Sequence, residues 1–164
     1  MNLASMHPAE PEARPSEASD IVIRSYTSVG SMQGLGKIEV EAREAFIPDR
    51  RHVAYFIRIS TETMGDYPQS SAAAIQYDNI EKLIVAIDKL SNVSIKADRF
   101  AFYEVEFEID GLKIIVFNDA RGRTMFNISV ANITVTFVAI HRIAELRELI
   151  LRAKKHLDAN KFEY

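Results

Sequence analysis

Apolar and polar residues alternate along much of this chain with a period of two, which predicts β strands that bury one face. The clearest example is Phe102 to Ile109, where three glutamates separate apolar residues. A similar alternation runs from Lys37 to Phe46. His52 to Ser60 differs because apolar residues occupy both phases, so we expect that strand to be covered on both sides or to lie at an interface. The eight predicted strands are Ile21–Val29, Lys37–Phe46, His52–Ser60, Ala73–Tyr77, Phe102–Ile109, Leu112–Phe117, Thr124–Val130 and Ile133–Val138.

Two stretches carry the helical period of 3.6 residues. The first is Ile80 to Leu90, for which Asp78 is the predicted N-cap and Glu81 its capping-box partner. The second and longer stretch is Ile140 to Leu157. Both predicted helices follow directly on a predicted strand.

The turn signals indicate how neighbouring strands connect. Asp110-Gly111 is a two-residue hairpin signal, since such a turn requires positive φ at both positions. Ala131-Asn132 predicts a second tight turn. The glycines from Gly30 to Gly34 predict a loop after the first strand.

These elements predict an α+β fold made of two tandem ββββα-like units, with antiparallel sheets backed by two amphipathic helices. We place the first unit at about 21–95 and the second at about 96–157, within one domain spanning 21–164. Each helix is expected to cover its own sheet. A single sheet with two unrelated helices is the alternative. The proline- and glutamate-rich start, residues 1–20, predicts a disordered tail.

The second unit resembles a known family pattern. It consists of a strand, the loop Asn118 to Arg123, the strand around Phe126, the strand around Ile133 and the helical run from Glu145. This order of elements resembles the ββββα repeat of Whirly-type and Pur-type single-stranded nucleic-acid-binding proteins. The resemblance implies curved sheets backed by helices, with subunits paired through helices. It also implies that Arg121 and Arg123 contact nucleic acid.

Composition and charge bear on which functions are possible. The 164 residues are 48% hydrophobic and 26% charged, with a net charge of −3, a balance typical of globular proteins. Proteins that bind nucleic acid through its phosphates are usually basic, so the acidic balance disfavours that function. There is no cysteine, which excludes thiolate chemistry. No apolar run is long enough to span a membrane, and we expect a cytoplasmic protein.

Glu104, Glu106 and Glu108 are the most distinctive polar feature. One hypothesis is a divalent-cation or acid–base site for a metal-dependent enzyme. The simpler interpretation is a solvated sheet face balanced by bases on neighbouring strands, because a straight row of side chains does not converge on a point. The four histidines, the serines and the glycines form no catalytic, metal-binding or phosphate-binding pattern. We therefore predict no catalytic residues, no metal and no cofactor.

The apolar strand from His52 to Ser60 suggests more apolar surface than one layer of helices can cover. Val53, Tyr55, Phe56 and Ile57 are the predicted interface residues. The leading functional hypothesis is a non-catalytic interaction module that forms a homo-oligomer. Single-stranded nucleic-acid binding and a metal-dependent enzyme are the alternatives.

Overall fold

The structure, a computed structural model, describes residues 20–93 and 100–162. The predicted disordered tail, apart from Asp20, lies outside the described residues. Within them, the predicted α+β class and the two ββββα-like units are confirmed. Each unit forms its own four-stranded antiparallel sheet with the strands in chain order, so the single-sheet alternative is wrong.

The first sheet contains long strands. They are β1 (Ile23–Gly34), β2 (Gly36–Ile47), β3 (His52–Glu62) and β4 (Ser70–Gln76), followed by helix α1 (Ile80–Ser91). The second sheet contains shorter strands, β5 (Glu104–Ile109), β6 (Leu112–Asn118), β7 (Thr124–Val130) and β8 (Ile133–Phe137), followed by helix α2 (Ile143–Asn160). Both predicted tight turns are present, with φ of 49° at Asp110 and 48° at Ala131.

Two local predictions are wrong. The glycines after residue 29 do not form a loop, because β1 continues through them to Gly34 with a β-bulge between Ser28 and Gly30. Asp78 does not cap α1, because a short 3₁₀ turn, Tyr77–Asn79, precedes the helix and places Asn79 at the N-cap, where its side chain makes no capping hydrogen bond. The side chain of Asn79 instead donates to Oδ2 of Asp110 at 3.0 Å.

The expectation that each helix covers its own sheet is also wrong. Helix α2 lies over β1, β2 and β3 of the first sheet, whereas β5 of the second sheet is the strand nearest α1. The packing is close, since a Cβ added at Gly30 would lie 2.7 Å from a methyl carbon of Leu149. The position of α2 follows from the end of β8, the strand that precedes it. Leu35 N donates to Thr136 O at 2.8 Å, and this hydrogen bond holds β8 against the β1–β2 turn. Helix α2 therefore starts above the first sheet.

Because each helix packs on the sheet of the other unit, the two units share one hydrophobic core. Buried residues of both sheets and both helices form a continuous cluster. The rings of Phe126 and Phe137 stack within it at 4.8 Å. A smaller cluster lies on the opposite face of the first sheet; its buried members are Ala45, Ile47, Ala54, Phe56 and Ala74. The strand from His52 is thus buried on both faces over part of its length, as its sequence indicates.

Further contacts join the two units. Oδ2 of Asp110, in the β5–β6 turn, accepts hydrogen bonds from Gln76 N and Asn79 Nδ2, both at 3.0 Å. Asp88 of α1 and Arg147 of α2 form an ion pair at 2.7 Å. Over the residues that the structure covers, no helix is both long and apolar enough to cross a membrane.

Candidate interaction surface

The four predicted interface residues divide into two pairs. Phe56 and Ile57 are almost completely buried within the chain, at 1% and 0% exposure. A partner cannot reach side chains that the fold already encloses. Val53 and Tyr55 are half-buried, and they lie near the end of the first sheet where β3 begins. The accessible part of the predicted interface is therefore this end of the sheet.

An apolar row crosses the first sheet at the same end. Ile23 of β1 pairs with Phe46 of β2, which in turn pairs with Val53 of β3. Residues opposite one another in an antiparallel sheet project from the same face. Ile23 is 46% exposed, and Ile21, just before β1, is 68% exposed. We call this row the open end of the first sheet. The sequence predicted only its part on the third strand.

A groove of about 470 Å³ adjoins the open end. One wall is β1, through Ser25, Tyr26 and Thr27, and the other is the last turn of α2, through His156 and Asn160. The groove exists because α2 covers the first sheet only as far as its last turn.

The C-terminal end of α2 is fixed by charged and aromatic side chains. The Tyr77 hydroxyl donates to a carboxylate oxygen of Asp158, and Lys154 Nζ lies 2.9 Å from the other oxygen. The hydrogen bond from Tyr77 and the one from Lys154 lower the pKa of Asp158. The same bond to Asp158 raises the pKa of Tyr77. Lys161 Nζ lies 3.7 Å from the centre of the Tyr77 ring, a cation–π contact that holds the end of the helix in place.

Strand β1 carries the most exposed part of the sheet. All six residues from Ile23 to Ser28 are exposed, and Tyr26 reaches 64%. The guanidinium of Arg43 lies 4.6 Å from the centre of the Tyr26 ring, which orients that ring. Because β1 is the first strand of its sheet, its outer edge has no strand partner within the ranges 20–93 and 100–162.

The loop that carries Arg121 and Arg123 is organised by Asp119. Its carboxylate accepts the backbone N–H groups of both arginines at 2.9 and 2.8 Å, and Nε of Arg123 at 2.7 Å. The bond from the Arg123 backbone contributes most to lowering the pKa of Asp119. Arg123 is therefore part of the loop structure, whereas the side chain of Arg121 is exposed and makes no hydrogen bond or ion pair within the described part of the chain.

Glu104, Glu106 and Glu108 lie exposed in a row on the outer face of β5. Lys113 on β6 is opposite Glu108 and forms an ion pair with Glu106 at 3.3 Å. The row is therefore solvated, and Lys113 offsets part of its negative charge. In the ranges 20–93 and 100–162, no group of three or more histidine, aspartate or glutamate side chains is arranged to hold a metal ion.

Comparisons of this chain with protein-family models, with characterised proteins and with solved structures give no match.

Proposed function

We propose that this protein is a non-catalytic interaction module that self-associates through the open end of the first sheet. The observation that carries the proposal is the exposure of Ile21 and Ile23 where the first strand begins, 68% and 46% respectively. Large apolar and aromatic residues that are contiguous on a surface are typical of sites where proteins bind each other. The half-buried Val53 extends the same surface across the sheet.

The test compares two lysine substitutions at equally exposed apolar residues. Ile23 is 46% exposed at the open end, and Val85 is 48% exposed on α1. Sedimentation velocity at tens of micromolar should show an oligomer for the parent chain and for Val85→Lys. Ile23→Lys should sediment as a monomer, because a lysine would have to be desolvated at the interface. A parent chain that is monomeric throughout, or an Ile23→Lys variant of unchanged mass, contradicts the proposal.

A second candidate function is binding of single-stranded nucleic acid by the second sheet. Phe117 and Met125 lie opposite each other at the base of the loop that presents Arg121, and both are half-buried on the outer face. An aromatic side chain beside an exposed arginine can stack on a base while the arginine contacts a phosphate. This arrangement supports the function that the family resemblance implies.

This candidate makes separate predictions for the two arginines. Arg121→Ala should weaken binding of mixed-sequence oligonucleotides and reduce the salt slope by about one unit. Arg123→Ala should act through the loop as well, because it removes an ion pair with Asp119. Titration by fluorescence anisotropy at several salt concentrations measures both effects. An absence of binding by the parent chain at low salt excludes this function.

A further inference from the structure

Glu44 is a half-buried carboxylate that makes no ion pair and no hydrogen bond within the described ranges 20–93 and 100–162. The other half-buried acidic residues of those ranges each have an ion pair or a hydrogen bond; they are Asp20, Glu39, Glu41, Asp88, Asp110 and Asp119. A carboxylate that loses water without gaining a donor raises the free energy of the folded chain. The surroundings of Glu44 therefore indicate what kind of ligand could supply the donor.

Glu44 lies in the groove between the first sheet and the last turn of α2. It is opposite Ser25 of β1 and Tyr55 of β3, and opposite residues of an antiparallel sheet project from the same face. All three residues line the groove, together with Thr27. The groove volume of about 470 Å³ lies within the range of about 300–1,000 Å³ that is typical of small-molecule sites. The carboxylate thus borders a cavity that is large enough for a ligand.

The last turn of α2 makes the groove more negative. Leu157, Ala159 and Asn160 of this turn line the groove, and the turn contains no basic residue. The last four C=O groups of a helix have no partner within the helix, and this end of a helix carries a partial negative charge. The turn therefore adds hydrogen-bond acceptors to those of Glu44 and favours a cation.

Two basic side chains of the groove already have partners elsewhere. The guanidinium of Arg43 lies 2.7 Å from a carboxylate oxygen of Glu41, on the opposite face of the sheet. Lys161 Nζ lies 3.7 Å from the centre of the Tyr77 ring. These contacts direct both cations away from Glu44, so its charge is left for a ligand.

We propose that this groove binds a guanidinium group, with Glu44 as the main acceptor. A guanidinium is planar, has five N–H donors and pairs with a carboxylate through two parallel hydrogen bonds. Its remaining donors suit the hydroxyls of Ser25 and Thr27, and its plane suits stacking on the Tyr55 ring. That ring is held at the groove because its hydroxyl accepts a hydrogen bond from Phe162 N at 2.7 Å. The site lies within one chain, so this inference goes beyond the self-association proposed above and does not depend on it.

An NMR titration of the full chain at about pH 8, where histidine is uncharged, tests the site. The probes are N-acetyl-arginine amide and N-acetyl-citrulline amide, in which an uncharged urea group replaces the guanidinium. The arginine compound should bind and shift the amide signals of Ser25 and Thr27, and the citrulline compound should not. Glu44→Gln keeps the side-chain size and removes the charge, so affinity should fall by about tenfold or more. The control Glu104→Gln, at an exposed carboxylate of the second sheet, should bind as the parent chain does.

A third probe identifies the source of the group. Agmatine carries the same guanidinium on a free amine, whereas N-acetyl-arginine amide represents an arginine within a polypeptide. Tighter binding of the arginine compound supports an arginine side chain of a partner protein as the ligand. Tighter binding of agmatine supports a free guanidino compound at the same site.

The stability of Glu44→Gln provides a second readout. The urea midpoint should stay unchanged or rise, because the carboxylate has no donor to lose and a neutral amide is easier to desolvate. A midpoint below that of the parent chain would show that the fold itself satisfies Glu44, which overturns the proposal. Equal affinity of Glu44→Gln and the parent chain, or no binding of guanidinium probes by the parent chain at millimolar concentration, overturns it as well.

Discussion

Replacing Asp110 by glycine should show how much the Asp110 carboxylate contributes to the free energy that holds the two units together. Oδ2 of Asp110 accepts from the backbone of Gln76 and from the side chain of Asn79. Both donors belong to the junction between β4 and α1, whereas Asp110 belongs to the β5–β6 turn. Glycine preserves the turn, since φ at this position is 49° and glycine adopts positive φ without strain. The substitution therefore removes the acceptor and leaves the backbone path intact.

The expected loss follows from the two hydrogen bonds. Bonds to a charged acceptor contribute about 1.5–3 kcal/mol each, and the lower figure applies because both are only partly buried. Glycine has no side chain that disfavours positive φ, so the substitution also stabilises the folded chain by up to about 1 kcal/mol. The free energy of unfolding should therefore fall by about 2 kcal/mol. For a domain of this size, that lowers Tm by roughly 4–8 °C.

The matched control is Ala131→Gly. Ala131 is the first residue of the other tight turn and has nearly the same φ, 48°. It has no side-chain acceptor, so glycine should raise stability by about 1 kcal/mol through relief of strain alone. Urea and thermal unfolding measure both variants, and hydrogen exchange at the Gln76 amide reports the lost bond locally. If Asp110→Gly is as stable as the parent chain and Gln76 exchange is unchanged, the carboxylate does not hold the units together.

Two further predictions concern close packing and pH. Gly34→Ala should lower the free energy of unfolding by about 1–3 kcal/mol, because its Cβ would lie 2.5 Å from Thr136 O and 2.7 Å from a ring carbon of Phe137. Gly34 is not among the glycines with positive φ, so the cost arises from the clash and not from backbone strain, and a urea midpoint equal to that of the parent chain contradicts the steric argument. The pKa of Asp158 lies below its ordinary value of 3.8 in the folded chain. The Asp158 carboxylate therefore stabilises the folded chain fully above the pKa of the unfolded chain. This stabilisation is lost as the pH falls through the lower pKa of the folded chain. The difference in urea midpoint between the parent and Asp158→Asn should shrink below about pH 4, and a constant difference would exclude an effect of the charge.

Local sequence patterns predicted the strands well where turn chemistry was explicit. The β5–β6 and β7–β8 turns agree with their sequence signals because Asp110-Gly111 and Ala131-Asn132 fix the register locally. The path of β1 through Gly30 was not predictable from its glycines. Glycine there permits close approach of Leu149 on α2, a contact between residues more than a hundred positions apart.

The periodicity of apolar residues also could not predict that each helix packs on the sheet of the other unit. An amphipathic pattern specifies which face of a helix is buried but not which sheet buries it. Contacts between β8 and the β1–β2 turn decide that, and they involve backbone atoms of Leu35 and Thr136. For the interaction surface, the sequence indicated Val53 and Tyr55 on one strand. It could not show that Ile23 would lie in the same row, since that depends on the pairing register across β2.

Placement of α2 over the first sheet has a consequence for synthesis. The ribosome completes β1, β2 and β3 long before it translates α2, the element that covers them. At about 5–20 residues per second, the nascent chain carries an unshielded apolar sheet for several seconds. The two halves therefore cannot mature one after the other, and we expect the polypeptide to depend on chaperone protection during that interval.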